Sequence, residues 1–175
     1  MFRFDKRQHT PENGVVSTMP AAPAAQPLAT PLDSNPAQPQ RLSIVLFSGT
    51  VDKLMAASIL ATGAAAMGMD VELFLTTWGL MAFRKDDYKT NTRVSADFAD
   101  YAPVMLEQMQ AKKVPSWMDN LLGAKEIGNV HVAACSMTLE LYGLQLSDLE
   151  PIVDEVTGVA TFVEQARESD VTLFI

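Results

Sequence analysis

A single cysteine, Cys135, is the residue with the clearest capacity for chemistry in this 175-residue chain. It follows a short apolar run, residues 129–134, and precedes residues 136–142, which have the character of a short helix. A thiol at such a junction lies beside a helix N-terminus, whose partial positive charge and free N–H groups stabilise a thiolate. This position favours a reactive thiol. The alternative is a buried structural cysteine, because free cysteines are among the most buried residues.

Further candidate residues follow two earlier apolar runs. The Ser48–Thr50 turn could hold an anion at the start of the next helix, but it lacks the glycine and lysine spacing of a phosphate-binding loop, so a capped turn is the simpler interpretation. Trp78 either covers a pocket or packs against the segment that follows it. Because open parallel sheets bind ligands at the carboxyl ends of their strands, these residues and Cys135 belong at one edge. The pocket or access candidates are Ser48, Gly49, Thr50, Trp78, Gly79, Ser136 and Met137.

Composition excludes several other classes of site. Net charge is -8, which argues against a nucleic-acid surface or an anionic membrane, because phosphate contacts need Lys and Arg. One cysteine permits no intrachain disulfide and fits a reducing, cytoplasmic compartment. His131 lies in an apolar run without partners at ligand spacing, so we interpret it as a packed core or interface histidine. We predict neither a metal nor a cofactor.

Alternating strand and helix patterns must position these residues. They predict an α/β fold with an open, mainly parallel sheet of five strands. The polar stretch 84–100 is predicted to be irregular. The predicted strands are residues 41–47, 70–76, 129–134, 151–156 and 170–175. The predicted helices are residues 51–67, 103–113, 115–127, 136–142 and 158–168.

Two segments call for separate interpretation. Residues 1–40 hold seven of the ten prolines and show no hydrophobic period, which predicts a disordered tail in front of one domain, residues 41–175. The tail lacks the apolar core of a signal peptide, so we expect no export. The uncharged run 54–69 is shorter than the roughly 20 residues of a membrane-spanning helix and predicts a buried crossover helix.

Four stretches of the core resemble the DsrE/DsrF/DsrH-like sulfur-relay proteins, particularly the branch with a Trp-Gly segment after the second strand. They cover residues 47–68, 73–85, 132–144 and 156–166, and the fairly specific parts are the Trp-Gly…Arg-Lys and Ala-Cys…Met patterns. The resemblance implies a three-layer α/β/α fold with a five-stranded parallel sheet. It also implies assembly into trimers or hexamers.

The resemblance further implies a function. The relay cysteine of the family falls at Cys135, which would hold sulfur as a persulfide and pass it to TusA-like or rhodanese-like carriers. A second cysteine of some members is missing, so a resolving pair within one subunit is excluded. A peroxiredoxin is disfavoured, because the position four residues earlier is His131 rather than a hydroxyl. A flavodoxin-like small-ligand binder and a non-catalytic interaction subunit stay open.

Apolar residues outside the expected core suggest association. The chain has ten methionines, a residue common at adaptable interfaces. Phe98, Tyr101 and Trp117 flank the predicted helix 103–113 beside a long polar loop. Such a patch is large for a lone monomer, and closed cyclic symmetry is the usual way to bury it. We therefore expect a homotrimer or homohexamer.

Overall fold

A parallel five-stranded sheet forms the centre of the domain in the computed structural model, which describes residues 40–175. The predicted tail lies outside these residues, except for Gln40. The spatial order is β4-β3-β2-β1-β5 and every pairing is parallel, so the predicted α/β class and sheet are confirmed. The strands are β1 (Arg41–Leu46), β2 (Asp70–Leu75), β3 (Val130–Cys135), β4 (Glu155–Thr157) and β5 (Val171–Phe174).

Seven α-helices connect the strands within residues 40–175, two more than the sequence predicts. The additional helices, of five and four residues, are too short to show a hydrophobic period, which explains why they were missed. Two 3-10 helices span Ala96–Tyr101 and Leu146–Asp148. The α-helices are α1 (Val51–Ala66), α2 (Thr77–Met81), α3 (Asp87–Thr90), α4 (Ala102–Ala111), α5 (Trp117–Ile127), α6 (Ser136–Tyr142) and α7 (Val159–Ala166).

The fourth strand begins later than predicted. Ile152 and Val153 are buried in the core but lie before the strand. The Asp154 N–H donates to the Val132 carbonyl at 2.8 Å, but the Val132 N–H donates at 2.7 Å to the Asp154 carboxylate, which also pairs with Lys125, so a side chain replaces the backbone acceptor of a strand partner. The predicted start at residue 151 is therefore wrong, because burial alone does not distinguish a strand from a packed loop.

One face of the sheet is covered by α1 and α5. The strand side chains on this face, such as Ile44, Leu73 and Val132, are fully buried. Small residues on α1 allow close packing, and a Cβ added at Gly128 would lie 2.9 Å from the Cβ of Ala65. Among the described residues, no helix combines the length and apolar character needed to cross a bilayer.

The opposite face is covered thinly by α7. Phe162 is the buried residue of this eight-residue helix, and most of its other residues are exposed. Phe162 packs with Phe74 and Cys135 in a small cluster that is separate from the main core. Cys135 therefore lies on the less protected side of the sheet.

Candidate functional site

Cys135 is the last residue of β3 and the residue immediately before α6. The strand extends one residue farther than predicted, so Cys135 lies inside it and is paired in register with Thr157 of β4. The carboxyl edge of the sheet is therefore its location, as expected. The residue is only 3% exposed, so a reagent or partner does not reach the thiol freely in this conformation.

The surroundings of Cys135 are aromatic and apolar. The rings of Phe74 and Phe162 stack with centroids 4.5 Å apart and an interplanar angle of 13°, and both belong to the cluster that contains Cys135. Val45 and Ala166 pack against the same cluster. The strands supply the base of this cluster and α7 supplies its cover. A buried thiol in such a setting needs a local rearrangement before sulfur exchange, which depends on access.

The helix that follows Cys135 is tied to the segment that follows β2. The Thr77 N–H donates a hydrogen bond to Thr138 Oγ1 at 3.1 Å, and the Thr76 hydroxyl lies 3.3 Å from the same oxygen. Thr77 has a φ of 50°, an unfavourable conformation for a β-branched residue. The Thr138 hydroxyl, three residues beyond the cysteine, therefore stabilises the strained turn that follows β2.

A cavity of about 680 Å³ lies next to this turn, at the carboxyl ends of β1 and β2. Four sequence-predicted candidates meet there, namely Ser48, Gly49, Thr50 and Trp78. Cys135 is not among the residues that line it. Trp78 is 56% exposed and lies with its ring 6.3 Å from that of Tyr142 on α6, so it forms a wall of the cavity beside that helix. The remaining lining residues are Met81, Ala82, Asp87, Thr90, Asn91, Thr92 and Arg93.

Residues 87–93 form a cavity wall that sequence reasoning missed. The Val51 N–H donates to the Arg93 carbonyl at 2.7 Å, and the Asn91 side-chain amide donates to the Gly49 carbonyl at 2.9 Å. These bonds tie the wall to the start of α1. The sequence of this wall is polar and has no hydrophobic period from which its structure could be predicted. Its position is set by contacts with residues that are distant in the chain.

Asp52 completes this connection. Its carboxylate accepts hydrogen bonds from the N–H and the hydroxyl of Ser95. Burial acts to raise the pKa of Asp52, but the hydrogen bonds from Ser95 and Thr50 outweigh it and hold that pKa below its ordinary value. Thr50 occupies the N-cap position of α1 without a side-chain capping bond, so the predicted side-chain cap is absent.

The other three candidates do not line the cavity. Gly79 is buried, and a Cβ there would overlap the Leu46 carbonyl oxygen, so this glycine permits close approach of α2 to β1. Ser136 is half-buried, and Met137 is 69% exposed on α6. Both follow Cys135 directly in the chain, and neither lines the cavity.

His131 pairs with a carboxylate on the thinly covered face. Its Nδ1 lies 2.9 Å from Glu72 Oε1, while its Nε2 lies 4.0 Å from Glu155 Oε1. Burial raises the pKa of Glu72, against the lowering effect of its hydrogen bond with His131. Within residues 40–175, no group of three or more His, Cys, Asp or Glu side chains has a geometry suited to a metal ion.

Comparison with known proteins places this geometry in a family. The model of the DsrE/DsrF/DrsH-like family matches residues 38–102 and 94–174. The chain belongs to this family. The uncharacterized protein YrkE of Bacillus subtilis is 35% identical over 158 residues, covering 79% of this chain and 98% of YrkE.

A second relative and a solved structure are also similar. The sulfur carrier protein DsrE2 of Allochromatium vinosum is 29% identical over 161 residues, covering 78% of this chain and 98% of DsrE2. The structure of MTH1491, a protein of unknown function from Methanobacterium thermoautotrophicum, matches with a TM-score of 0.49 and 16% identity. That match covers 78% of this chain and 99% of the other.

Proposed function

We propose that this protein is a sulfur carrier that holds sulfane sulfur as a persulfide on Cys135 and passes it to a partner protein. The observation that carries the proposal is the position of the chain's one cysteine, at the carboxyl end of a central strand of the family's sheet. The name of the DsrE2 relative supports a role in sulfur relay. We infer as well that the Trp78–Gly79 pair marks the branch to which the chain belongs.

The reaction is a pair of thiol exchanges without net oxidation. The Cys135 thiolate attacks the outer sulfur of a donor persulfide, a new S–S bond forms, and the donor leaves as a thiolate. An acceptor thiolate then attacks the outer sulfur held on Cys135. The bond from that sulfur to Sγ breaks and Cys135 returns to the thiolate. The chemistry of the acceptor fits a small TusA-like or rhodanese-like carrier with an accessible thiol.

Mass spectrometry after incubation with polysulfide tests the loading step. We expect the intact protein to gain the mass of one sulfur atom and to lose it on treatment with a reductant. The control is Cys135→Ser, which removes the nucleophile with little change of size and should gain nothing. Absence of the adduct on the native protein, or an equal adduct on Cys135→Ser, contradicts the proposal.

The cavity favours a second candidate function, the binding of a small molecule. Its volume lies within the range of small-ligand sites, and Trp78 offers an aromatic surface for stacking. A flavodoxin-like role predicts that the purified protein carries a bound flavin, visible in its absorption spectrum. A protein that carries no flavin and forms no sulfur adduct would instead fit a non-catalytic subunit of a relay complex.

We also propose that copies of the chain associate into a trimer or hexamer. Phe98 and Tyr101 are 61% and 64% exposed, which supports an apolar contact surface near α4. Trp117, in contrast, is buried in the core of its own domain, so the surface is smaller than the sequence suggests. Light scattering should give three or six times the 19.0 kDa of one chain, and a value for one chain would contradict the proposal.

A further inference from the structure

The cover over Cys135 is anchored weakly. Phe162 is the buried residue of α7, and Val159 and Val163 on the same apolar stripe are 48% and 52% exposed. In the described part of the chain, the side chains of α7 form no hydrogen bond or ion pair outside the helix, and its backbone adds one long hydrogen bond with the sheet, from the Thr172 hydroxyl to the Ala166 carbonyl at 3.5 Å. The helix is therefore held against the sheet mainly by the packing of one aromatic ring.

That ring belongs to the cluster that hides the thiol. Phe162 stacks on Phe74, and both share the buried cluster with Cys135. The cluster's remaining members come from the strands, except for Ala166 of α7. Removing α7 from the sheet would uncover this cluster and leave the packing of α1 and α5 on the opposite face in place.

The two ends of α7 are joined to strands of the sheet. After the helix, the Ser169 hydroxyl bonds the Ser43 hydroxyl at 2.7 Å, and the Asp170 carboxylate accepts from the Arg41 N–H at 2.8 Å. Before the helix, Gly158 has open space where a side chain would lie. The residue before Gly158 is Thr157 of β4, which pairs in register with Cys135, so both ends of α7 are tied to the sheet and an opening movement involves the helix between them.

We propose that α7 is a lid over Cys135, held closed by Phe162, and that the thiol exchanges sulfur only after Phe162 leaves its place against Phe74. The inference rests on the proposed sulfur-carrier function and adds a means of control to it. A closed lid excludes stray thiols from a persulfide, and an open lid gives a partner access to it. Close packing leaves no room for an attacking thiol while the rings are stacked.

Labelling of the thiol with iodoacetamide tests the lid without any sulfur chemistry. We expect the native protein to label at least about a hundredfold more slowly than the protein unfolded in urea. At low urea the rate should change little with urea concentration, because a local opening exposes little surface. A native rate equal to the unfolded rate, or one with the full urea dependence of global unfolding, would overturn the lid.

Three variants separate the lid from general destabilisation. Phe162→Ala should label roughly tenfold to a hundredfold faster than the native protein, because the closed state loses its main contact. Val163→Ala changes an exposed side chain of the same helix and should label at the native rate. Leu121→Ala weakens the core on the opposite face and should also label at the native rate without urea. Equal acceleration by Leu121→Ala and Phe162→Ala would overturn the lid.

Two further measurements cover the remaining outcomes. If Phe162→Ala does not fold, Phe162→Leu and hydrogen exchange of the native protein replace it, and the α7 amides should open with the same free energy as the thiol. Labelling and the polysulfide adduct together distinguish a failure of the lid proposal from a failure of the proposed sulfur-carrier function. Lid-controlled labelling without a polysulfide adduct would reject the sulfur carrier alone, whereas an adduct on a freely labelled thiol would reject the lid alone.

Discussion

The two faces of the sheet are built differently. On one face, α1 and α5 bury strand residues such as Ile44 and Leu73 completely. On the other, α7 buries little more than Phe162, and Phe174 of β5 stays 70% exposed. The chain's one thiol lies on this second face. A well-packed face can hold the strands in register while the thinly covered face opens and closes, since local openings cost far less than global unfolding.

The largest expected contrast comes from two phenylalanines. Phe83 is fully buried against Trp117, with ring centroids 5.0 Å apart, whereas Phe174 is mostly exposed and stacks on Phe47 at 5.6 Å. We expect Phe83→Ala to lower the free energy of unfolding by about 3–5 kcal/mol and Phe174→Ala by less than about 1 kcal/mol. Urea denaturation of the two variants measures both values. Similar losses would remove the distinction between the faces.

A smaller effect is expected at the turn beside Cys135. Thr138→Val leaves the Thr77 N–H without its 3.1 Å acceptor and should lower the free energy of unfolding by about 1–3 kcal/mol. Thr138→Ser keeps the hydroxyl and should recover most of that stability. If valine and serine are equivalent in urea denaturation, the hydrogen bond does not stabilise the turn.

The smallest effect concerns pH on the thinly covered face. Burial raises the pKa of Glu72 above its ordinary 4.5, despite the hydrogen bond from His131. The folded state then binds a proton more tightly than the unfolded state, so stability falls as pH rises from 4.5 through the folded pKa. Glu72→Gln should remove this fall.

Asp52 provides the matched contrast at the start of α1. Its pKa is lowered because hydrogen bonds from Ser95 and Thr50 outweigh the effect of burial, so its contribution to stability is present above pH 3.8 and is lost as pH falls. Asp52→Asn should therefore cost stability at neutral pH, where Glu72→Gln should not. Thermal unfolding between pH 3 and pH 7 compares them. Parallel pH profiles for the two variants would contradict these assignments.

The sequence predicts the first face better than the second. Buried parallel strands are largely apolar runs, so β1, β2 and β3 can be recognised in the sequence. The position of Cys135 at the carboxyl end of β3 can then be predicted as well. The cover over Cys135 is not predictable in this way, because the stripe 159, 162, 163 and 166 does not reveal that Phe162 alone becomes buried. The cavity wall around Asn91 is equally hidden, since backbone contacts with Gly49 and Val51 determine its place.

Transfer of sulfur from loaded protein to an acceptor tests the central claim most directly. Protein loaded with polysulfide and freed of excess reagent is mixed with a purified TusA-like carrier, and both masses are followed in time. We predict that the carrier gains the mass of one sulfur atom as the loaded protein loses it, and that Cys135→Ser treated in the same way transfers nothing. Loaded protein that keeps its sulfur with every thiol carrier tested, or transfer by Cys135→Ser, would contradict the account.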